Sequence, residues 1–217
     1  FAETMADKVR RSLRKRQTGV PARFLYDSAM PRSMVKAVRE LLNLKKPELV
    51  AGGRYHHFSD LMKLPVSGRA ELRAKPLLPI AHPQFNPNRD PFGTLRRRDV
   101  LLHFPYHDFD NVVKLVQKAA RDPLVKRLAI TLYRVAEDSR ICEALIEAVG
   151  RGKKVLVFVE VQARFDERSN LYWGEALEKA GARVIYSYEH LKVHCKLLLI
   201  ERREGRGLKR YAYLGTG

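Results

Sequence analysis

Between residues 108 and 215 the hydrophobic period of the chain switches repeatedly, and this alternation constrains the fold more than any other feature. The segment "DFDNVVKLVQKAARD" presents Val112, Val113, Leu115 and Val116 as one helical face, with Asp108 or Asp110 placed to cap it. A strand pattern "LAITLYR" follows, then a helix "SRICEALIEAVGRG", a strand "KVLVFVEVQAR" and a helix "RSNLYWGEALEKAGA". Strand patterns "RVIYS", "VHCKLLLI" and "RYAYLG" complete the series. Strands separated by helices of this length indicate βαβ units. The near-continuous apolar run in "VLVFVEV" suits a strand buried on both sides. The expected fold class is therefore α/β, with a mixed sheet and helices on both faces.

The first part of the chain has another texture, of an α+β kind. It reads as a basic helix from Glu3 to Arg16, a strand "VPARFLYD", and a helix "SAMPRSMVKAVRELLNL" with Pro31 in its first turn. From "KPELVAGGRYHHFSDL" to "PIAHPQFNPNRDPFG" the chain is rich in Pro, Gly, Asn and His, which marks irregular structure and a boundary near residue 92. Two domains are expected, residues 1–92 and 93–217. The chain opens on Phe1 and stops at "YLGTG", in a glycine turn straight after a strand, so it is expected to be a piece of a longer protein.

Charge points to partners. A formal net charge of +18 and a pI near 10.2 favour polyanions: inorganic chains, nucleic acid or an anionic membrane surface. No apolar run approaches the roughly 20 residues that span a bilayer, and the charged first residues hold no signal-peptide core. Cys142 and Cys195 are expected to be free thiols in a reducing compartment. Cys195 is read as packing on the strand face opposite His194, and Tyr172 and Trp173 as core. His56, His57 and His107 lack a second ligand at metal spacing. The pair His56-His57 reads as structural loop. Arg96, Arg97 and Arg98, and the cluster Arg10, Arg11, Arg14, Lys15 and Arg16, read as solvated faces.

The polar groups of the second half converge. In an open α/β sheet, ligands sit outside the carboxyl ends of the parallel strands. Arg134 ends "LAITLYR" and Arg164 follows "VLVFVEVQ", so both reach that edge. The strand near 183–187 should run the same way. The short loop "YEHLK" then suggests that the strand from 193 returns antiparallel beside it, starting where its neighbour ends. His194 and Lys196 thus arrive at the same edge, two apart and on one face. The strand "RYAYLGTG" brings Gly215, Thr216 and Gly217 back there, and a Gly-Thr-Gly turn can offer backbone N–H groups to an anion. A neutral imidazole can attack phosphorus, arginine grips phosphate in bidentate fashion, and lysine acts as a point charge. The expectation is a phosphate site with His194 as nucleophile.

His194-x-Lys196 followed by Gly-Thr-Gly resembles the HKD signature of the phospholipase D superfamily. More specifically, "DVLLHFPYHDFDNVV", "LYRVAEDSRI", "GKKVLVFVEVQARFDERSN", "LKVHCKLLLI" and "RYAYLGTG" are together similar to bacterial polyphosphate kinases. "KRQTGVPARFLYD" and "GGRYHHFSDLM" resemble that family's middle domain. The resemblance implies a phospholipase D-like sheet and reversible transfer of the terminal phosphoryl of ATP to inorganic polyphosphate, with Mg²⁺, through a phosphohistidine. It implies His194 as the phosphorylated residue and Lys196 as the HKD lysine. Arg134 and Arg164 match arginines at the magnesium–phosphate site, touching the metal only indirectly, through phosphate oxygens. Glu201 stands beyond the lysine where the wider superfamily has its acidic group.

The same resemblance implies ATP/ADP and polyphosphate as partners, a homo-oligomer when intact, and no specific nucleic acid. It implies a cytoplasmic location, with peripheral association at the inner membrane face left open. The family's adenine-holding N-terminal domain and second histidine-bearing half are not in these residues, so the 217 residues alone are expected to be inactive. Two alternatives stay open: a phospholipase D-type phosphodiesterase or nuclease, and a non-catalytic polyanion-binding module.

Overall fold

The structure is a computed structural model that describes residues 4–64 and 68–216. It divides into two compact units, residues 14–76 and residues 1–13 with 77–217. The parting falls at 76/77, and the Pro- and Asn-rich stretch before α3 (Pro91–Arg97) packs with segments on its C-terminal side. Ile80 pairs with His107, and Lys118 donates from its ammonium to the carbonyl of Asn88.

The smaller unit is a βαβ element. β1 (Phe24–Asp27) and β2 (Leu49–Gly52) are parallel, Phe24 opposite Leu49, and α2 (Arg32–Leu41) connects them. Pro31 precedes the first helical turn with φ −55°, where its missing N–H costs nothing. β2 lies in a stretch expected to be irregular. Four residues are too few to display alternation, and the parallel partner is over twenty residues away in sequence.

The larger unit holds a five-stranded sheet of order β5-β4-β3-β6-β7. In chain order its elements are α4 (Asp110–Arg121), β3 (Val125–Leu132), α5 (Arg140–Gly150), β4 (Lys154–Val159), α6 (Glu167–Ala180), β5 (Arg183–Tyr186), β6 (Lys196–Glu204) and β7 (Gly207–Gly215). β3, β4 and β5 are parallel; β6 and β7 form an antiparallel hairpin on β3. α1 (Met5–Thr18) begins near the expected place, Glu3 lying outside the described residues, and buries Ala6 in this core. No described helix is long and apolar enough to cross a membrane.

Helix ends follow their local chemistry. Phe109, and neither Asp108 nor Asp110, occupies the N-cap of α4, without a side-chain cap bond; Asp108, one residue earlier, accepts the Asp110 N–H at 2.8 Å in the turn that leads in. Ser139 accepts the Cys142 N–H at the head of α5. Gly181 ends α6 at φ +100°, a conformation that glycine adopts without strain, and the last carbonyls accept the Gly181 and Ala182 N–H groups.

One sheet face makes the core. Leu128, Leu132, Val155, Val157, Val159, Leu198 and Ile200 are all buried on it, in contact with α4, α5 and α6. On the other face Ala129, Leu156, Phe158 and Leu199 are half-buried and Leu197 is exposed. The cover expected on both faces is thus found, among the described residues, on one. β3, β4 and β5 step in a single direction, and right-handed crossovers then place their helices on the same side. Trp173 is core as expected, with its indole N–H donating to the Ala136 carbonyl at 2.9 Å. Tyr172 is exposed and meets Trp173 edge-on, which corrects its reading as core.

A second correction concerns β6. It pairs with β3, Ile130 opposite Leu198, and not with β5 as expected. Residues 187–195 therefore cross the carboxyl ends of β4 and β3. Three strand spacings, about 14 Å, are well within their extended reach. The crossing chain still delivers His194 to the carboxyl rim, because β6 is antiparallel to β3.

Asn170, fully buried, ties this rim together. Its amide donates to the carbonyls of Tyr133 (2.8 Å) and Glu160 (2.7 Å) and accepts the Val135 N–H at 3.2 Å. Asn170→Ala leaves three buried backbone groups unpaired and is expected to cost about 3 kcal/mol or more. Tyr172→Ala, on the exposed side of the same helix, is expected to stay within about 1 kcal/mol. Urea unfolding measures both, and equal losses would contradict this placement.

Candidate functional site

At the carboxyl rim of the sheet a cleft of about 1620 Å³ is lined by Thr131, Tyr133, Arg134, His194, Lys196 and Thr216, among others. Each arrives for a local reason. Arg134 follows β3, whose last core residue is Leu132. Lys196 opens β6 directly opposite Gly215, the last residue of β7, so antiparallel register alone brings the lysine and the glycine turn together. A side chain at Gly215 would crowd its neighbours. A Cβ there would lie 2.7 Å from the Tyr213 hydroxyl oxygen and 3.2 Å from the Lys196 Cβ.

His194 precedes β6 by two residues and is exposed. Its ring meets Tyr133 edge-on, centroids 4.5 Å apart. The Lys196 ammonium stands 3.3 Å from both imidazole nitrogens, donates to the His194 carbonyl at 2.7 Å, and lies 4.4 Å over the Tyr133 ring. Imidazole, ammonium and phenol ring thus form one cluster at the mouth of the cleft. The chain on both sides of His194 is fixed by the sheet. The Val193 N–H donates to Glu160 Oε2 at 2.8 Å. The Thr131 hydroxyl donates to the Cys195 carbonyl (2.7 Å) and accepts the Leu197 N–H (2.9 Å).

The arginines differ. Arg134 lines the cleft and its Nε is 3.3 Å from Asp166 Oδ2. That oxygen is buried with no hydrogen-bond partner, so it faces the guanidinium as a charge. Arg164 is exposed in the loop after β4, its guanidinium over the Phe165 ring at 5.2 Å, and does not line the cleft. It shares the rim through Asp166, two residues on. Gly217 lies outside the described residues. Neither Glu160, Thr131 nor Tyr133 figures in the expected site. Glu160 gave a signal, as the one carboxylate inside the run "VLVFVEV".

Cys195 is exposed in the coil before β6, which corrects its reading as a packed residue: the strand begins one residue later. Cys142 is buried in α5, and burial pushes its thiol up to about 11.

Parallel strands, a returning antiparallel hairpin and a cationic carboxyl rim make this a phospholipase D-like α/β domain. Residues 90–217 match the polyphosphate kinase C-terminal domain 1, and residues 2–64 the polyphosphate kinase middle domain. The chain belongs to the polyphosphate kinase family. It is 46% identical over 209 residues to the polyphosphate kinases of Salmonella typhimurium and of Escherichia coli strain K12, covering 95% of this chain. It spans 30% of the length of those relatives. The crystal structure of polyphosphate kinase from Porphyromonas gingivalis superposes with a TM-score of 0.64 at 36% identity, over 85% of this chain and 28% of that one.

The two thiols give a check on this geometry. Iodoacetamide at pH 8 is expected to alkylate Cys195 within minutes and to spare Cys142 until denaturant is added, since only an accessible thiolate reacts. Mass spectrometry of peptides reads the ratio, and comparable rates at the two would contradict the placement of residue 195.

Proposed function

We propose that the chain carries the phosphoryl-accepting half of a polyphosphate kinase active site, with His194 as the residue that accepts the terminal phosphoryl of ATP and passes it to inorganic polyphosphate. The observation that carries this reading is an exposed imidazole, braced on both flanks and set in one cleft with Lys196, Arg134 and the Gly215-Thr216 turn. In the first step a His194 nitrogen lone pair forms a P–N bond as the bond from phosphorus to the bridging oxygen breaks, releasing ADP. In the second, a terminal oxygen of polyphosphate forms the new P–O bond and the P–N bond breaks. Both steps are charge-neutralisation problems more than covalent ones.

The residues divide that work. Tyr133 restrains the ring edge-on, and Lys196 places a positive charge beside the incoming phosphate. Arg134 supports bidentate contact with phosphate oxygens, and Asp166 holds its Nε side. The donor set suits Mg²⁺ carried on substrate phosphates: no group of three metal-ligating side chains occurs among the described residues, and Asp166 is the carboxylate paired with Arg134. Such a metal would neutralise phosphate oxygens when bound. Gly215 and Thr216 support the same phosphate from the end of β7.

In the intact protein, His194→Ala is expected to abolish polyphosphate synthesis while retaining salt-sensitive binding of polyphosphate, since binding draws on the general positive charge. Retained synthesis would remove His194 as nucleophile. Arg134→Lys is expected to lower kcat about a hundredfold, near 3 kcal/mol of transition-state stabilisation, with little change in KM. Arg164→Lys, outside the cleft, is expected to cost less. An equal or larger loss at Arg164 would reverse the assignment of the two arginines.

A further inference from the structure

We infer that Glu160 is a positioning residue for His194: its buried carboxylate holds the crossing segment that carries the imidazole. This rests on the reading of His194 as phosphoryl acceptor and adds a residue with no phosphate contact of its own.

Glu160 stands one residue beyond β4 and is fully buried. Among the described residues no arginine, lysine or histidine forms an ion pair with it, and its company is all donors. Oε1 accepts the Gln162 N–H at 2.8 Å and the Ser187 hydroxyl at 3.0 Å, while Oε2 accepts the Val193 N–H at 2.8 Å. Ser187 is the first residue of the crossing segment and Val193 the residue before His194. One side chain thus ties both ends of the crossing to the same strand end. Its own backbone is fixed in turn, by N–H donation to the Leu132 carbonyl and by the Asn170 amide on its carbonyl.

A buried carboxylate without a counter-charge is costly, and an apolar side chain would fill the same place in a strand core. Donors that hydrogen-bond the charge offset the cost only if the crossing chain stays where it is. The carboxylate therefore makes the position of Val193 a condition of its own burial. Thr131 adds hydrogen bonds to the Cys195 carbonyl and from the Leu197 N–H on the other side of His194. Between these two clamps the backbone of His194 keeps one placement, while its ring stays open to the cleft. A displacement of about 1 Å at a reacting group costs on the order of a hundredfold in rate, so the clamp bears on chemistry and not only on folding.

The test uses the intact protein and two variants, Glu160→Gln and Glu160→Asp. The glutamine has one acceptor oxygen for donors that approach two, and sets an NH₂ against an N–H. The aspartate keeps the charge but is one methylene too short to serve both ends, and it decides the matter should the glutamine variant not unfold cooperatively. Amide hydrogen exchange over residues 188–195 is expected to quicken about tenfold or more. The kcat for polyphosphate synthesis is expected to fall about ten- to a hundredfold, with KM for ATP and for polyphosphate within about threefold of wild type. Unchanged exchange would overturn the inference. So would faster exchange with unchanged kcat, or a KM rise that accounts for the loss. If His194→Ala still makes polyphosphate, the nucleophile reading fails alone, and the exchange measurement still decides whether Glu160 holds the segment.

Discussion

The structure of the rim depends on one buried carboxylate. β5 ends on the far side of the sheet from the strand that comes after it, and the chain has to cross the ends of β4 and β3 to reach its partner. A crossing over strand ends has no ladder to satisfy its backbone groups. Glu160 supplies acceptors at both ends of the crossing, and Thr131 continues the pairing of β3 with side-chain bonds where the ladder stops. The placement of His194, Lys196 and the Gly215 turn results from this, since β6 fixes β7 by register.

Much of this architecture was legible in the sequence. Period switching located α4, α5, α6 and β3 to β7 to within a few residues, and antiparallel return was enough to bring His194 and Lys196 to the carboxyl rim. The partner of β6 was not legible. A short connection between strands normally means adjacency, and nothing in "SYEHLKVH" states that the chain passes over two strands first. The signal lay elsewhere, in Glu160. A carboxylate in an otherwise apolar run has to find donors, and the crossing segment provides two of them, the Ser187 hydroxyl and the Val193 N–H. Cys195 was misplaced for a related reason: the strand begins at Lys196, so alternation does not apply to the residue before it. β2 was missed because four residues show no period.

The cations of the rim are not equivalent. Arg134 is placed against Asp166, whose buried oxygen has no other partner, so the guanidinium has one side fixed and the other toward the cleft. Arg164 rests over Phe165, an exposed aromatic with φ +79°, where a non-glycine backbone is strained. Strain of this kind persists where surrounding structure holds it, and here it lies between an arginine and the aspartate that braces another arginine. Sequence position and the family resemblance give the two arginines the same role; both are exposed, and pairing and cleft lining separate them. The net charge of +18 would favour polyanions of any kind. In the proposed function, selectivity for a transferring phosphoryl group would come from the few charges whose direction is fixed.

The central claim is that the imidazole held at this rim takes the phosphoryl group. Rapid quenching of the intact protein with ATP and Mg²⁺, then peptide mapping under alkaline conditions that preserve phosphohistidine, tests it most directly. The account predicts phosphate on His194, formed at least as fast as polyphosphate is made. Phosphate on another residue, or on His194 but formed more slowly than turnover, would contradict it.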